Sequence, residues 1–229
     1  MQTLPTNEVK PGYDLMANKN QLTTRTYPVN LQTREEGGIG TIFGRPIVFN
    51  ARTDLGYFDE IIDPAALDSA DLTDVRLCLN HDTSYVYARS RRNNPSSTMR
   101  LNINGLGMDI EADLAIGESP KAQDYFAAVS RGDISGMSFM FSIDGEEWEN
   151  LETDHPLRRI TKIGSVVEVS AVTFPAYDQT EIYARSAEEL DSAKAALDRA
   201  RELRKAAPVD TGDLELLKEK AKILGGFFR

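Results

Sequence analysis

Between Gly38 and Phe174 the chain repeats one pattern, short runs in which apolar and polar side chains alternate, separated by Gly, Pro, Asn or Asp. Alternation with period two gives a pleated strand one apolar and one polar face, and the breaker residues end each strand after a few steps. Gly40 to Phe49 is rich in β-branched and aromatic residues, with Pro46 marking a bulge or an edge position. Val75-Arg-Leu-Cys-Leu79 runs into the polar Asn80-His81-Asp82. Leu101 and Ile103 alternate up to Asn104-Gly105, and Met108, Ile110, Ala112 and Leu114 alternate beyond it, a strong hairpin signal. In Met137-Ser-Phe-Met-Phe-Ser-Ile143 the residues Met137, Phe139, Phe141 and Ile143 share one face, and Ser138, Met140 and Ser142 the other. A polar loop is expected from Gly145 to Arg159, then a last β region from Ile160 to Phe174, stopped by Pro175.

Helical signals are few. Asp63-Pro64 before Ala65, Ala66 and Leu67 supplies a cap and a first-turn proline for a short helix. Ser119-Pro120 opens another, with Ala122, Tyr125, Phe126 and Val129 at helical spacing and Gly132 as its stop. Many strands and so few helices, in no strand-helix-strand rhythm, predict an α+β fold: a small antiparallel or mixed β-barrel with a few helices around it.

Composition divides the chain into three parts. Residues 1–36 hold scattered Pro, Asn, Thr and Gln with few large apolar groups, and read as a flexible N-terminal arm. Residues 37–185 form the barrel domain. Residues 186–229 form a helical C-terminal tail, opened by the capping box Ser186-Ala-Glu-Glu189 and striped by Leu190, Ala193, Leu197 and Ala200. A second helix is expected after Asp210. Acidic and basic side chains balance in the tail, so the net charge of -10 lies in residues 1–185. The tail either lies on the body as a helical hairpin or pairs with a partner chain.

An acidic chain lacks the positive footprint that phosphate binding needs, so nucleic acid is not an expected partner. One cysteine, Cys78, cannot form an internal disulfide, and with two histidines a three-ligand zinc site is hard to assemble. No metal or cofactor is expected. There is no apolar run of the length a membrane span needs, and the N-terminus lacks the basic-then-apolar order of a secretory signal. No membrane association is expected, and the chain is read as staying where it is made.

A serine becomes a nucleophile when a neighbouring base takes its proton and a third group orients that base. His81, where an apolar strand gives way to polar residues, is a candidate base; His155, in the loop Asp154-His155-Pro156, is a weaker one. Ser138 stands on a strand face opposite large apolar residues. Glu168 interrupts Val166-Val-Glu-Val-Ser-Ala-Val172, where a carboxylate is costly unless hydrogen-bonded or solvated, although the outer face of a barrel explains it equally well. Cys78 is three residues from His81, a spacing that sends the two to opposite faces of a strand, and reads as core.

Taken together, Leu79-Asn-His-Asp82, Arg131-Gly-Asp-Ile-Ser-Gly-Met-Ser-Phe-Met-Phe141 and Glu168-Val-Ser-Ala-Val-Thr-Phe-Pro-Ala176 resemble, in order and spacing, the signature of the bacteriophage HK97-type prohead (capsid maturation) serine proteases. The resemblance implies a serine endopeptidase whose barrel is related to that of the herpesvirus assemblins. It implies His81 as the general base, Ser138 as the nucleophile and Glu168 as the third member. By looser analogy to the paired arginines of assemblins, Arg158 and Arg159 are candidate oxyanion donors, as are backbone amides near Ser138. Met140 stands where the family usually has glycine, on the face of the nucleophile, and is expected to reshape the substrate groove. The implied partners are the major capsid protein, through its scaffolding segment, and the protease itself, cut or oligomeric, inside the immature capsid in the host cytoplasm. Two other readings stay open: an assembly protein that keeps the barrel without chemistry, and a small ligand-binding barrel.

Overall fold

A computed structural model describes residues 13–15, 21–173 and 187–206. Its spine is a long hairpin of β11 (Gly136–Glu149) and β12 (Leu157–Val172). Each outer edge of that hairpin is shared by two strands. Along β11, β2 (Leu22–Pro28) runs antiparallel to the first half and β1 (Tyr13–Leu15) to the second. Along β12, β6 (Asp59–Ile62) and β7 (Val75–Leu79) both run parallel, β6 at the start and β7 at the end. β5 (Thr53–Asp54) extends β6, and β8 (Ala88–Ser90) extends β7. Register shifts between Met140 and Glu146 bend and twist the hairpin, so its two ends take different neighbours.

A second sheet, antiparallel throughout, has the order β3 (Gln32–Glu36), β4 (Ile39–Val48), β10 (Gly107–Leu114), β9 (Met99–Asn104). The hairpin expected at Asn104-Gly105 forms, with Gly107 opposite Asn104. The sheets pack through side chains. Phe139, Phe141 and Met137 of β11 meet Ile42 and Ile47 of β4, the alternating face of β10, and Ala122, Tyr125, Phe126 and Val129 of α1 (Pro120–Ser130). Gly44 lets β4 pass over β11, since a Cβ there would collide with the Met137 sulfur. Each fully buried aromatic side chain of this core contributes ~2 kcal/mol or more from removal of apolar surface from water.

Three expectations need correction. The closed barrel does not form: among the described residues the strands divide into sheets of eight and four, with no pairing that joins them. Alternation fixes how many strands there are and which face is apolar, whereas closure depends on which edges meet. The expected loop from Gly145 to Arg159 is mostly strand, with only residues 150–156 between β11 and β12. Its polar residues neutralise one another inside the molecule: Arg158 pairs with Glu146 and Glu60, and the Trp148 indole donates to Glu146. Finally, residues 22–36 of the expected arm form β2 and β3. Tyr27 is buried and stacks on Phe139, and Arg25 makes a two-pronged bond to buried Glu60. These strands are ordered by the edges they join, not by apolar content of their own.

The short helix expected at Asp63 is a 3₁₀ turn, Pro64–Leu67, capped by the Asp63 carboxylate. The tail helix α2 (Ala187–Ala206) lies on the body. Ala193, Ala196, Leu197 and Ala200 pack with Leu55, Phe58, Trp148 and Leu151, and Arg201 donates to the carbonyls of Leu151 and Thr153. The helix expected after Asp210 and the stop at Pro175 lie outside the described residues.

Candidate active site

The site is assembled where β7 leaves the sheet. Asn80 and His81 both adopt left-handed backbone, with φ of 49° and 60°. That conformation costs about 1 kcal/mol for a residue with a Cβ, and Asn and His are among the types that enter it most readily. Hydrogen bonds hold the turn. The Asn80 amide donates to Ala171 O (3.0 Å), the Asn80 side chain accepts from Thr173 N (2.9 Å), and Asp82 N closes back on Leu79 O (3.0 Å). The Ser84 hydroxyl, with its backbone N–H, holds the Asp82 carboxyl below its usual range. The turn swings the His81 ring over the adjacent strands.

Beneath the ring, β11 and β12 set Ser138 directly opposite Ser170, and Met140 directly opposite Glu168. Residues facing each other in an antiparallel ladder share a face, so all four belong to one surface. His81 Nε2 lies 2.7 Å from Ser138 Oγ, and its Nδ1 lies 2.8 Å from Glu168 Oε2. A carboxylate only accepts, so Nδ1 carries the proton facing Glu168, and in the neutral ring Nε2 is left with a lone pair toward the hydroxyl. The Ser138 hydroxyl has a second acceptor at 2.9 Å, the Arg25 carbonyl of β2. Ser138 and Ser170 are fully buried and Glu168 nearly so, while the His81 side chain keeps 27% of its surface exposed.

Three side chains that the sequence singles out, His81, Ser138 and Glu168, therefore converge, although up to 87 residues separate them. Met140 lies on the same face, as expected from its spacing. Arg158 and Arg159 do not join them. Arg158 precedes Glu168 by ten residues of β12 and lies opposite Trp148, toward the turn of the hairpin. It is buried against Glu146 and Glu60, and Arg159 bonds Glu149. Both guanidinium groups are held by these carboxylates, and neither bonds Ser138, His81 or Glu168.

The remaining candidates separate cleanly. Cys78 lies buried on β7, and burial, reinforced by the nearby Glu168 charge, pushes its thiol up to about 11. His155 sits apart, 3.2 Å from Asp59 and 3.6 Å from Asp54. These three could offer ligands to a cation, but the cluster is on the surface and Asp59 already holds Arg52 at 2.6 Å. Sequence reasoning missed Ser170, whose hydroxyl bonds Glu168 and accepts the His81 amide. Its signal was available in Glu168-Val-Ser170, since alternate residues of a strand share a face.

No curated protein and no solved structure matches the chain. A family model described as caudovirus prohead serine protease matches residues 27–194, from the end of β2 into α2. That span takes in the sheet, the turn at His81 and both long strands, and the chain belongs to the caudovirus prohead serine protease family.

Proposed function

We propose that the chain is a serine endopeptidase of capsid maturation in which Ser138 is the nucleophile, His81 the general base and Glu168 the group that orients the base. The observation that supports this most is the single imidazole bridging both partners, 2.7 Å to the serine hydroxyl and 2.8 Å to the carboxylate. In the reaction, His81 Nε2 takes the Ser138 proton as Oγ bonds to the carbonyl carbon of the substrate peptide. The tetrahedral adduct collapses, the C–N bond breaks, and the imidazolium returns its proton to the departing amine. Water then repeats the sequence, with His81 taking its proton and returning one to Ser138 as the acyl group leaves. Glu168 stabilises the imidazolium that forms twice in this cycle.

Ser138 has no exposed surface in the conformation described, so the groups around it part before a polypeptide reaches Oγ. The substrate we assign is the scaffolding segment of the major capsid protein, cut inside the immature capsid, with self-cleavage as a second activity. Met140, facing Glu168 across the ladder, narrows the groove beside the nucleophile and restricts the residue accepted there. Co-expression with the capsid protein tests the assignment by mass spectrometry. Wild type is expected to yield shortened capsid protein and Ser138→Ala only the full-length form, a loss of about 10⁴-fold or more in rate. Continued processing by Ser138→Ala removes Ser138 from the mechanism.

A further inference from the structure

We propose that Ser170 is a positioning residue for hydrolysis, a fourth side chain that holds the base and its carboxylate in register with each other. The proposal rests on the roles assigned above to Ser138, His81 and Glu168. Its starting point is the second oxygen of Glu168. Burying a carboxylate is costly unless both oxygens are paired, and Glu168 is only 2% exposed. Oε2 receives the His81 proton, and Oε1 receives the Ser170 hydroxyl. Among the described residues no cation shares this work: Arg76 of β7 pairs with Glu168 in the ladder, but its guanidinium bonds Asp74 at 2.8 Å. A neutral hydroxyl pairs the oxygen and leaves the full negative charge to the imidazolium, which an arginine would have drawn away.

The same hydroxyl reaches the base. Ser170 Oγ accepts the backbone N–H of His81 at 3.0 Å, and His81 occupies the left-handed region where a side chain is disfavoured. The bond pins that residue in the one conformation that places its ring between Ser138 and Glu168. Donor and acceptor run in a single direction, from the His81 amide to the Ser170 oxygen and from the Ser170 hydrogen to the carboxylate, so each bond polarises the other. With alanine at 170 the carboxylate, whose last torsion is soft, turns away from Nδ1 and the His81 amide loses its acceptor.

A fluorophosphonate probe, which reacts with activated serines, reads nucleophile activation without a known substrate. Ser170→Ala is expected to slow phosphonylation of Ser138 by about 10–100-fold. Ser170→Thr, which keeps the hydroxyl, restores the rate. A second readout needs no activity: in Ser138→Ala, the low-field proton resonance of His81 Nδ1–H is expected to move upfield and exchange faster once Ser170→Ala is added, with thermal unfolding confirming the fold. A rate within twofold of wild type overturns the proposal. So does equal loss in the alanine and threonine variants with an unchanged Nδ1–H resonance. Labelling that survives Ser138→Ala instead overturns the nucleophile assignment, and the resonance still decides the role of Ser170.

Discussion

The roles of individual side chains follow from who faces whom within a few ångströms. His81, Ser138 and Glu168 were legible in the sequence because their types, their order and the short segments around them resemble one family signature. Alternation with Glu168 put Ser170 on the same face, but that it lies opposite Ser138 shows only in the register. Arg158 and Arg159 misled for the converse reason. Two adjacent arginines look available in a sequence, and only the pairing of β12 with β6 brings Glu60 against Arg158. Cys78 gives a prediction at this scale. A thiol raised from 9.0 to about 11 has ~10²-fold less thiolate at neutral pH, so iodoacetamide is expected to leave the native chain unmodified and its phosphonylation intact. Rapid alkylation of Cys78 with loss of activity would indicate a thiol in the reaction.

At the scale of elements, the hairpin of β11 and β12 does two jobs at its two ends. One end carries Ser138 opposite Ser170; the other carries Glu146 and Arg158, and Arg25 of β2, whose carbonyl accepts the Ser138 hydroxyl, reaches Glu60 in the same buried set. The alternation of Met137 to Ile143 was readable, but its continuation to Glu149 was not, because charged residues in a sequence look like a loop until their partners are known. Burial alone would raise the Glu60 carboxyl; the charge and hydrogen bonds of Arg25, and then of Arg158, outweigh it and leave the group below its usual value. A carboxylate lowered in the folded state adds stability at pH above the unfolded value, about 4.3. That contribution is lost as pH falls through the lower folded value. Chemical denaturation is therefore expected to show Glu60→Gln less stable by about 3 kcal/mol near neutral pH, the cost of stranding buried arginines, with the difference shrinking in acid. Equal stability at neutral pH would mean that the set contributes nothing.

For the whole molecule, composition could not draw the boundary between body and appendage. Strand count and scarcity of helices gave the α+β class; the division into two open sheets depends on edges that local patterns do not specify. The arm and the tail looked alien because each is poor in large apolar groups, yet β2 completes an edge beside Ser138 and α2 covers Trp148 and Phe58. Leu197→Ala is accordingly expected to cost about 2–3 kcal/mol, lowering the melting temperature by roughly 5–10 °C. An unchanged melt would detach α2 from the cooperative unit.

The claim on which the rest depends is that His81 activates Ser138. Peptide mapping of the chain after exposure to a fluorophosphonate tests it most directly. The expected result is one adduct, on Ser138, abolished by His81→Ala. An adduct confined to another residue, or labelling of Ser138 at the wild-type rate in His81→Ala, would contradict the account.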